Sequence, residues 1–166
     1  MNEVISKKTN TLTRAAILLA VALVFQFVKF GQLITGSGIN AVLILAAHFC
    51  GLTWAAAIGA ITPFMAFILG VQPPAIVPAI PFIMAANILY AAVYSILKNK
   101  NTILAVAFAS VLKFGLLYTV VNYFIDVKPP IQVALSFPQL VTALIGGAAA
   151  IIIINVLSRY NKSKNK

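Results

Sequence analysis

Lys113 is the residue of this sequence whose type and position most clearly suggest chemistry. It lies in the apolar run 102–124, ~12 residues and ~18 Å from the start of the run at the helical rise of about 1.5 Å per residue. A charge at that depth in hydrocarbon costs at least ~2.5 kcal/mol and normally faces a cavity or a partner. Glu3 and Asp126 are the only carboxylates, and neither lies in an apolar run. We interpret Lys113 as a group that awaits an anionic part of a ligand or is held by carbonyl, Asn or Tyr oxygens; the alternative is a lysine that burial leaves neutral or whose stem snorkels.

A polar and aromatic stripe occupies the apolar run before the one that holds Lys113. Asn87, Tyr90 and Tyr94 stand at positions i, i+3 and i+7, so a helix places them on one face. Tyrosines with apolar bodies and polar tips suit a flat organic ligand. We therefore predict that Asn87 and Tyr90 contact a ligand, with an interhelical hydrogen bond as the alternative for Asn87. Tyr94 is better explained by such a bond or by a position at the inner membrane interface.

Further polar residues are expected at the same level of the membrane. Gln26 and Lys29 share a face near the outer end of the first apolar run, and Asn40 opens the second. Gln139 and Thr142 lie in the outer part of the last run. Each residue alone would be an ordinary interface or capping residue, but their convergence on one half of the membrane predicts an outward-facing pocket. The predicted substrate-binding residues are Lys113, Asn87, Tyr90, Gln139, Asn40, Gln26 and Lys29.

Several other kinds of site are excluded by what the sequence lacks. One histidine, His48, and one cysteine, Cys50, cannot supply the ligands of a metal site, so we predict no metal and no cofactor. Catalytic residues are not expected, because no carboxylate pair is available for acid–base chemistry in the membrane. The motif G-x-x-x-x-G-K-[ST] is missing, so any ATP must be used by a partner. We predict that the protein is not an enzyme and interpret His48 as a packing residue.

The composition places these residues in a membrane. Of 166 residues, 62% are apolar and 8% charged, with a mean hydropathy of +1.04, whereas soluble domains carry about 25% charged residues. The chain therefore lacks the polar surface of a soluble protein and must contact membrane lipids. Its net charge of +10 is interpreted as a signal for membrane orientation and not for nucleic-acid binding.

The apolar runs predict an all-α membrane protein with six transmembrane helices, because they lack the alternation of barrel strands. Residues 36–70 are too long for a single crossing, so we place a tight turn at Gly51. Gly146 and Gly147 should allow a close helix contact, and Pro138 should lie in the first turns of the last helix. The predicted helices are about 12–30, 39–50, 53–69, 81–97, 102–124 and 133–158.

Basic residues predict that both termini are cytoplasmic. They concentrate in the two terminal segments and in the connection between the fourth and fifth helices, whereas the opposite connections offer only Lys29 and Lys128. We therefore divide the chain into a cytoplasmic tail, 1–11, a six-helix substrate-binding domain, 12–158, and a basic cytoplasmic tail, 159–166. A cleaved signal peptide ending near Ala22 is the alternative for the first run, but its apolar residues continue through Phe30.

Four features occur together in this chain. They are a short basic N-terminus leading into LTRAAILLAVALVFQF, a short second helix joined tightly to a third, a proline-rich third loop followed by PFIMAAN, and six spans with both ends inside. In this combination the chain resembles, over essentially its whole length, the substrate-binding S component of energy-coupling factor (ECF) vitamin transporters. The resemblance is one of architecture more than of a sequence fingerprint.

The resemblance implies a protein of the bacterial cytoplasmic membrane that captures a vitamin or related micronutrient from outside. It also implies two kinds of partner, a transmembrane coupling subunit and a pair of cytoplasmic ATPases. In that family a small-residue A-x-x-x-A surface on the first helix docks on the coupling subunit, and Ala16 and Ala20 match this spacing. Ligand is held in the outer half by helices four to six, and loops 31–37, 70–80 and 126–131 would act as lids.

A non-transporting scaffold of a cell-envelope assembly is the alternative function. Rod-shape-determining membrane subunits are comparable in size and span number, and such a scaffold needs no ligand pocket. On that view Lys113 and the proline-rich outer loop are harder to explain.

Overall fold

The protein is an all-α bundle over the residues that the computed structural model describes, 2–28 and 30–164, and no strand occurs among them. The all-α prediction is thus confirmed. Helical geometry also extends through much of the two segments predicted as tails. The helices are α1 (Asn2–Phe27), α2 (Gln32–Phe49), α3 (Leu52–Ile68), α4 (Ile80–Leu97), α5 (Thr102–Tyr123), α6 (Pro129–Ala134) and α7 (Phe137–Lys164), with a 3-10 segment, Pro74–Ala79, before α4.

Six apolar helices account for the six predicted spans. Five stretches qualify as membrane spans by length and hydropathy, and α3, with 17 residues, is apolar but shorter. Large apolar side chains such as Ile96, Ile103 and Phe124 are exposed on the outside of the bundle, where hydrocarbon would replace water as their solvent. The five long stretches are Lys8–Phe27, Gln32–Phe49, Pro74–Leu97, Thr102–Tyr123 and Pro129–Tyr160.

The predicted turn between α2 and α3 is confirmed at Gly51. Its φ of 93° lies in the left-handed region that glycine adopts without steric cost. The amide groups of Cys50 and Gly51 both donate to the Ala46 carbonyl and close the end of α2. At the next sharp turn, the Asn101 side chain accepts hydrogen bonds from two amides in the first turn of α5.

The expected first lid loop, 31–37, is wrong, because α2 begins at Gln32 and not near residue 39. Of its two glycines, Gly31 precedes α2 with a φ of 85°, whereas Gly36 lies inside α2 and serves close packing, as does Gly38 just after the expected loop. A Cβ on Gly36 would lie 3.0 Å from Thr142 Cγ2, and one on Gly38 would lie 2.5 Å from the Phe25 ring.

The last predicted helix is also divided, into α6 and α7. Pro138 cannot donate a backbone hydrogen bond to the residue four positions before it. The chain therefore leaves helical geometry at Leu135 and Ser136 and starts again at Phe137.

Helix α2 lies at the centre of the bundle, in contact with α1, α3, α4 and α7. Residues 42–47 of α2 are all buried. It approaches α7 closely at Gly146, where an added Cβ would overlap the carbonyl oxygen of Ser37. The predicted close contact at Gly146 and Gly147 is confirmed.

The alternation of antiparallel helices gives the bundle two ends. At the terminal end, which holds the start of α1, the end of α7 and the turns after α2 and α4, Lys98 Nζ donates to the Ala47 carbonyl oxygen at 3.0 Å. At the loop end, which holds the α1–α2 connection, the 3-10 segment and α6, Gln32 Nε2 donates to the Ala134 carbonyl oxygen. These contacts fix the positions of α2 relative to α4 and α6.

Candidate functional site

Lys113 projects into the bundle and not toward lipid, with 2% of its surface exposed. Its Nζ donates to Asn40 Oδ1 at 2.5 Å and to Asn87 Oδ1 at 2.8 Å. The same nitrogen lies 5.3 Å from the centroid of the Tyr90 ring, within the range of a cation–π contact. Residues from α2, α4 and α5 thus form what we call the Lys113 cluster: Lys113, Asn40, Asn87 and Tyr90.

The partners of Lys113 are themselves held by neighbouring helices. Asn40 Nδ2 donates to Thr142 Oγ1 at 3.4 Å, and Thr142 Oγ1 donates to the carbonyl oxygen of Gln139 at 3.2 Å. The Tyr90 hydroxyl donates to the Ala143 carbonyl oxygen at 2.8 Å. Helix α7 therefore braces the cluster through Asn40 and Tyr90.

Glycines bring the backbones close enough for these bonds to form. A Cβ on Gly147 would lie 2.9 Å from the Tyr90 hydroxyl oxygen, so the missing side chain lets that hydroxyl reach α7. A Cβ on Gly146 would lie 2.7 Å from Asn40 Cβ, and one on Gly59 would lie 3.0 Å from Asn87 Cβ. Each cluster residue outside α5 thus approaches a neighbouring helix at a glycine.

The other predicted site residues that the structure describes, Gln26 and Gln139, are not direct partners of Lys113. Gln26 is buried, and its Nε2 donates to the Thr62 carbonyl oxygen at 2.9 Å, without a hydrogen bond to the Lys113 cluster. Gln139 is half-buried and joins the network through its backbone carbonyl. Lys29 lies outside the described residues. The structure therefore brings together four of the seven predicted residues directly.

The contact between Gln26 of α1 and Thr62 of α3 contains two unpaired side-chain oxygen atoms. Gln26 Oε1 and Thr62 Oγ1 are buried without a hydrogen-bond partner. Thr62 follows Gly59 by three positions, so a helix places both on the same face of α3. Gln26 and Asn87 thus contact carbonyl groups of α3 that are about one helical turn apart.

The sequence analysis missed the part of α3 that contacts the cluster. Asn87 Nδ2 donates to the Gly59 carbonyl oxygen at 3.0 Å, four residues before Pro63 in the same helix. The sequence signal for this contact is the four-residue spacing of Gly59 and Pro63. A proline inside a helix leaves the carbonyl group four positions earlier without its usual backbone donor.

The polar residues of the terminal end form a separate pair. His48 Nδ1 and the Tyr94 hydroxyl lie 3.0 Å apart. Tyr94 is fully buried, and its contact with His48 of α2 confirms the interhelical hydrogen bond expected for it; its position at the inner membrane interface stays a prediction. His48 packs on this ring and on Phe49.

Two surface depressions lie outside the Lys113 cluster. An apolar groove of about 420 Å³ runs between α1, α2 and α7, lined by residues such as Phe25, Val42 and Ile145. A polar depression of about 370 Å³ lies at the loop end, lined by residues 121–127 and Gln132. Among the described residues, no group of three histidine, cysteine or carboxylate side chains could hold a metal ion.

The small-residue pair Ala16 and Ala20 on α1 faces outward, whereas Ala15 and Ala22 are buried. Ala16 and Ala20 are both exposed, as is Ile17 beside them. None of the residues that the structure describes covers this part of α1.

A bundle of apolar helices around a buried polar cluster defines a multi-pass membrane protein with an internal site. The sequence profile of the family described as "ECF transporter, substrate-specific component" matches residues 10–158. The chain belongs to this family and is a substrate-specific membrane component of an ECF importer. It has no significant match among the curated proteins or the solved structures.

Proposed function

We propose that the protein captures a vitamin or related micronutrient on the outer side of a bacterial cytoplasmic membrane. The ligand would be held in the loop-end half of the bundle by the Lys113 cluster, with Gln26, Lys29 and Gln139 around it. Family membership supports the transport role. It gives no support to the alternative role of an envelope scaffold.

The observation that carries the proposal is the composition of the Lys113 cluster. The Lys113 nitrogen is buried against two neutral amide oxygens and an aromatic ring. No carboxylate occurs in any apolar run to neutralise a positive charge there. A buried cation without a counter-charge is costly, so an anionic group on the ligand would stabilise the site.

Membrane orientation follows from the basic residues. Arg14, Lys98, Lys100 and Arg159 lie in α1, at the α4–α5 turn and in the last part of α7, all at or toward the terminal end. The positive-inside rule therefore favours cytoplasmic termini and a loop end that faces outward. On this orientation 12–158 is the membrane domain, and the segments 70–80 and 126–131 lie where a lid over the ligand would be needed.

Docking on a coupling subunit is supported by the outward face of α1. Exposed Ala16 and Ala20 would let a partner helix approach the backbone closely. Two cytoplasmic ATPases, bound through the coupling subunit, would then supply the energy, since this chain has no phosphate-binding loop.

Gentle isolation from native membranes tests the proposed assembly. A tagged chain should co-purify with one membrane protein and two ATPases that carry phosphate-binding loops. Isolation with peptidoglycan-synthesis proteins and without ATPases would contradict the proposal and favour the scaffold.

A further inference from the structure

Pro63 interrupts the hydrogen bonding of α3 next to the Lys113 cluster. The helix continues through it from Leu52 to Ile68. Proline has no amide hydrogen, so the Gly59 carbonyl, four residues earlier, loses its usual donor within the helix. Gly59 is buried, and a buried carbonyl without a partner is costly.

Asn87 supplies the missing donor from α4. Its Nδ2 donates to the Gly59 carbonyl oxygen at 3.0 Å, while its Oδ1 accepts from Lys113 Nζ at 2.8 Å. Turning the amide over would place oxygen against oxygen at Gly59 and nitrogen against nitrogen at Lys113. The two neighbours therefore select the same orientation of the Asn87 amide.

A similar arrangement recurs at the loop end. Pro138 cannot donate to the Ala134 carbonyl oxygen, and Gln32 Nε2 from α2 donates to it instead. In both places a proline frees a carbonyl group that an amide side chain from another helix then occupies.

We propose that Pro63 is a positioning residue for the ligand site. By leaving the Gly59 carbonyl free, it makes the Asn87 amide donate to α3 and turn its oxygen toward Lys113. Pro63 thus orients an acceptor for Lys113 without touching the ligand. The relevance to ligand capture rests on the function proposed above, but the orientation itself can be tested without any ligand.

A double-mutant cycle at positions 63 and 87 tests this role. Asn87→Asp keeps an acceptor for Lys113 but removes the donor, so the new carboxylate faces the free Gly59 carbonyl. Pro63→Ala restores a backbone donor to that carbonyl and should relieve the conflict. The apparent unfolding midpoints of the single and double variants are measured at one scan rate in one detergent.

The expected result is a coupling between the two substitutions. Pro63→Ala should raise the midpoint by at least about 3 °C more in the Asn87→Asp background than in the unsubstituted chain. Asn87→Leu also lacks the donor and gives a second cycle with the same expected sign, should Asn87→Asp fail to fold. Pro130→Ala, at an exposed proline of α6, is the control and should show no coupling.

Additive midpoints at positions 63 and 87 would overturn the proposal, because a proline that only bends α3 has no reason to depend on the side chain at 87. A coupling of the same size for Pro130→Ala would overturn it as well. Neither result bears on whether the chain takes part in transport.

Discussion

At the scale of the residue, the Lys113 cluster is held by neutral groups alone. Lys113 donates to two asparagine oxygens, and both asparagines are anchored in turn, Asn40 on α7 and Asn87 on α3. Such an arrangement orients the lysine nitrogen without neutralising it. On the proposed function, an anionic group of the ligand would supply the missing counter-charge.

Replacing Asn87 with leucine should destabilise the free protein. The change leaves the Gly59 carbonyl without a donor and removes one acceptor of Lys113, which should cost about 1–3 kcal/mol. Thermal unfolding in detergent measures the effect. Asn155→Leu, at an exposed position of α7, is the matched control, and an equal midpoint for the two variants would contradict the assigned hydrogen bonds.

Removing the Tyr90 hydroxyl tests the contact with α7. Tyr90→Phe keeps the ring beside Lys113 but loses the bond to the Ala143 carbonyl, and it should lower stability by about 1 kcal/mol. Tyr118→Phe removes an exposed hydroxyl and should have little effect. If both changes were equally mild in thermal unfolding, the hydroxyl would not brace α7.

The residues of the cluster could be predicted because their types are rare in apolar runs. Lys113, Asn87 and Asn40 stand out by their depth, and the helical period added Tyr90. The Gly59 carbonyl could not be found in this way, since its importance comes from a backbone group that Pro63 leaves free. Likewise, the pairing of Gln26 with α3 depends on helix neighbours that spacing along the chain does not reveal.

At the scale of the element, glycines decide how closely the helices approach. The glycine pair in α7 was predicted as a contact, whereas Gly36 was predicted as loop and Gly38 was left outside the predicted second helix. The difference lies in their partners, Thr142 and Phe25, which pack onto the bare backbone of α2. A single sequence shows that a glycine is present but not whether a neighbouring side chain needs its space.

Alanine substitutions should distinguish a glycine in a close helix contact from a glycine that faces open space. Gly147→Ala places a Cβ against Val106 and the Tyr90 hydroxyl, so it should destabilise the protein by about 1–3 kcal/mol through overpacking. Gly115→Ala in α5 meets nothing within 4 Å and should be stabilising, by up to about 1 kcal/mol, from helix propensity. Thermal unfolding that ranked the two variants in the opposite order would contradict the close packing.

At the scale of the whole molecule, α2, α4 and α5 supply the polar cluster, α3 and α7 hold it through hydrogen bonds, and Ala16 and Ala20 of α1 are exposed. The all-α fold follows from composition and run length, because hydrocarbon requires every backbone polar group to be paired within the chain. The division of the last helix follows from the missing amide donor of Pro138, whereas the early start of α2 depends on packing between distant segments.

Larger side chains on the exposed face of α1 should weaken docking on the coupling subunit without weakening ligand binding. Ala16→Leu and Ala20→Leu together should reduce the co-purified ATPases while leaving the bound small molecule in place, because both side chains point away from the bundle interior. Ala85→Leu, at an exposed position of α4, serves as the control. Undiminished ATPase recovery would place the docking surface elsewhere.

The central claim is that Lys113 holds an anionic group of a captured nutrient, and mass spectrometry of the purified protein tests it most directly. The unsubstituted chain should carry a stoichiometric small molecule with a carboxylate or phosphate group. Lys113→Ala should lose that molecule, whereas Lys100→Ala, at an exposed lysine of the α4–α5 turn, should retain it. A neutral or cationic molecule, or one that Lys113→Ala retains in full, would contradict the claim.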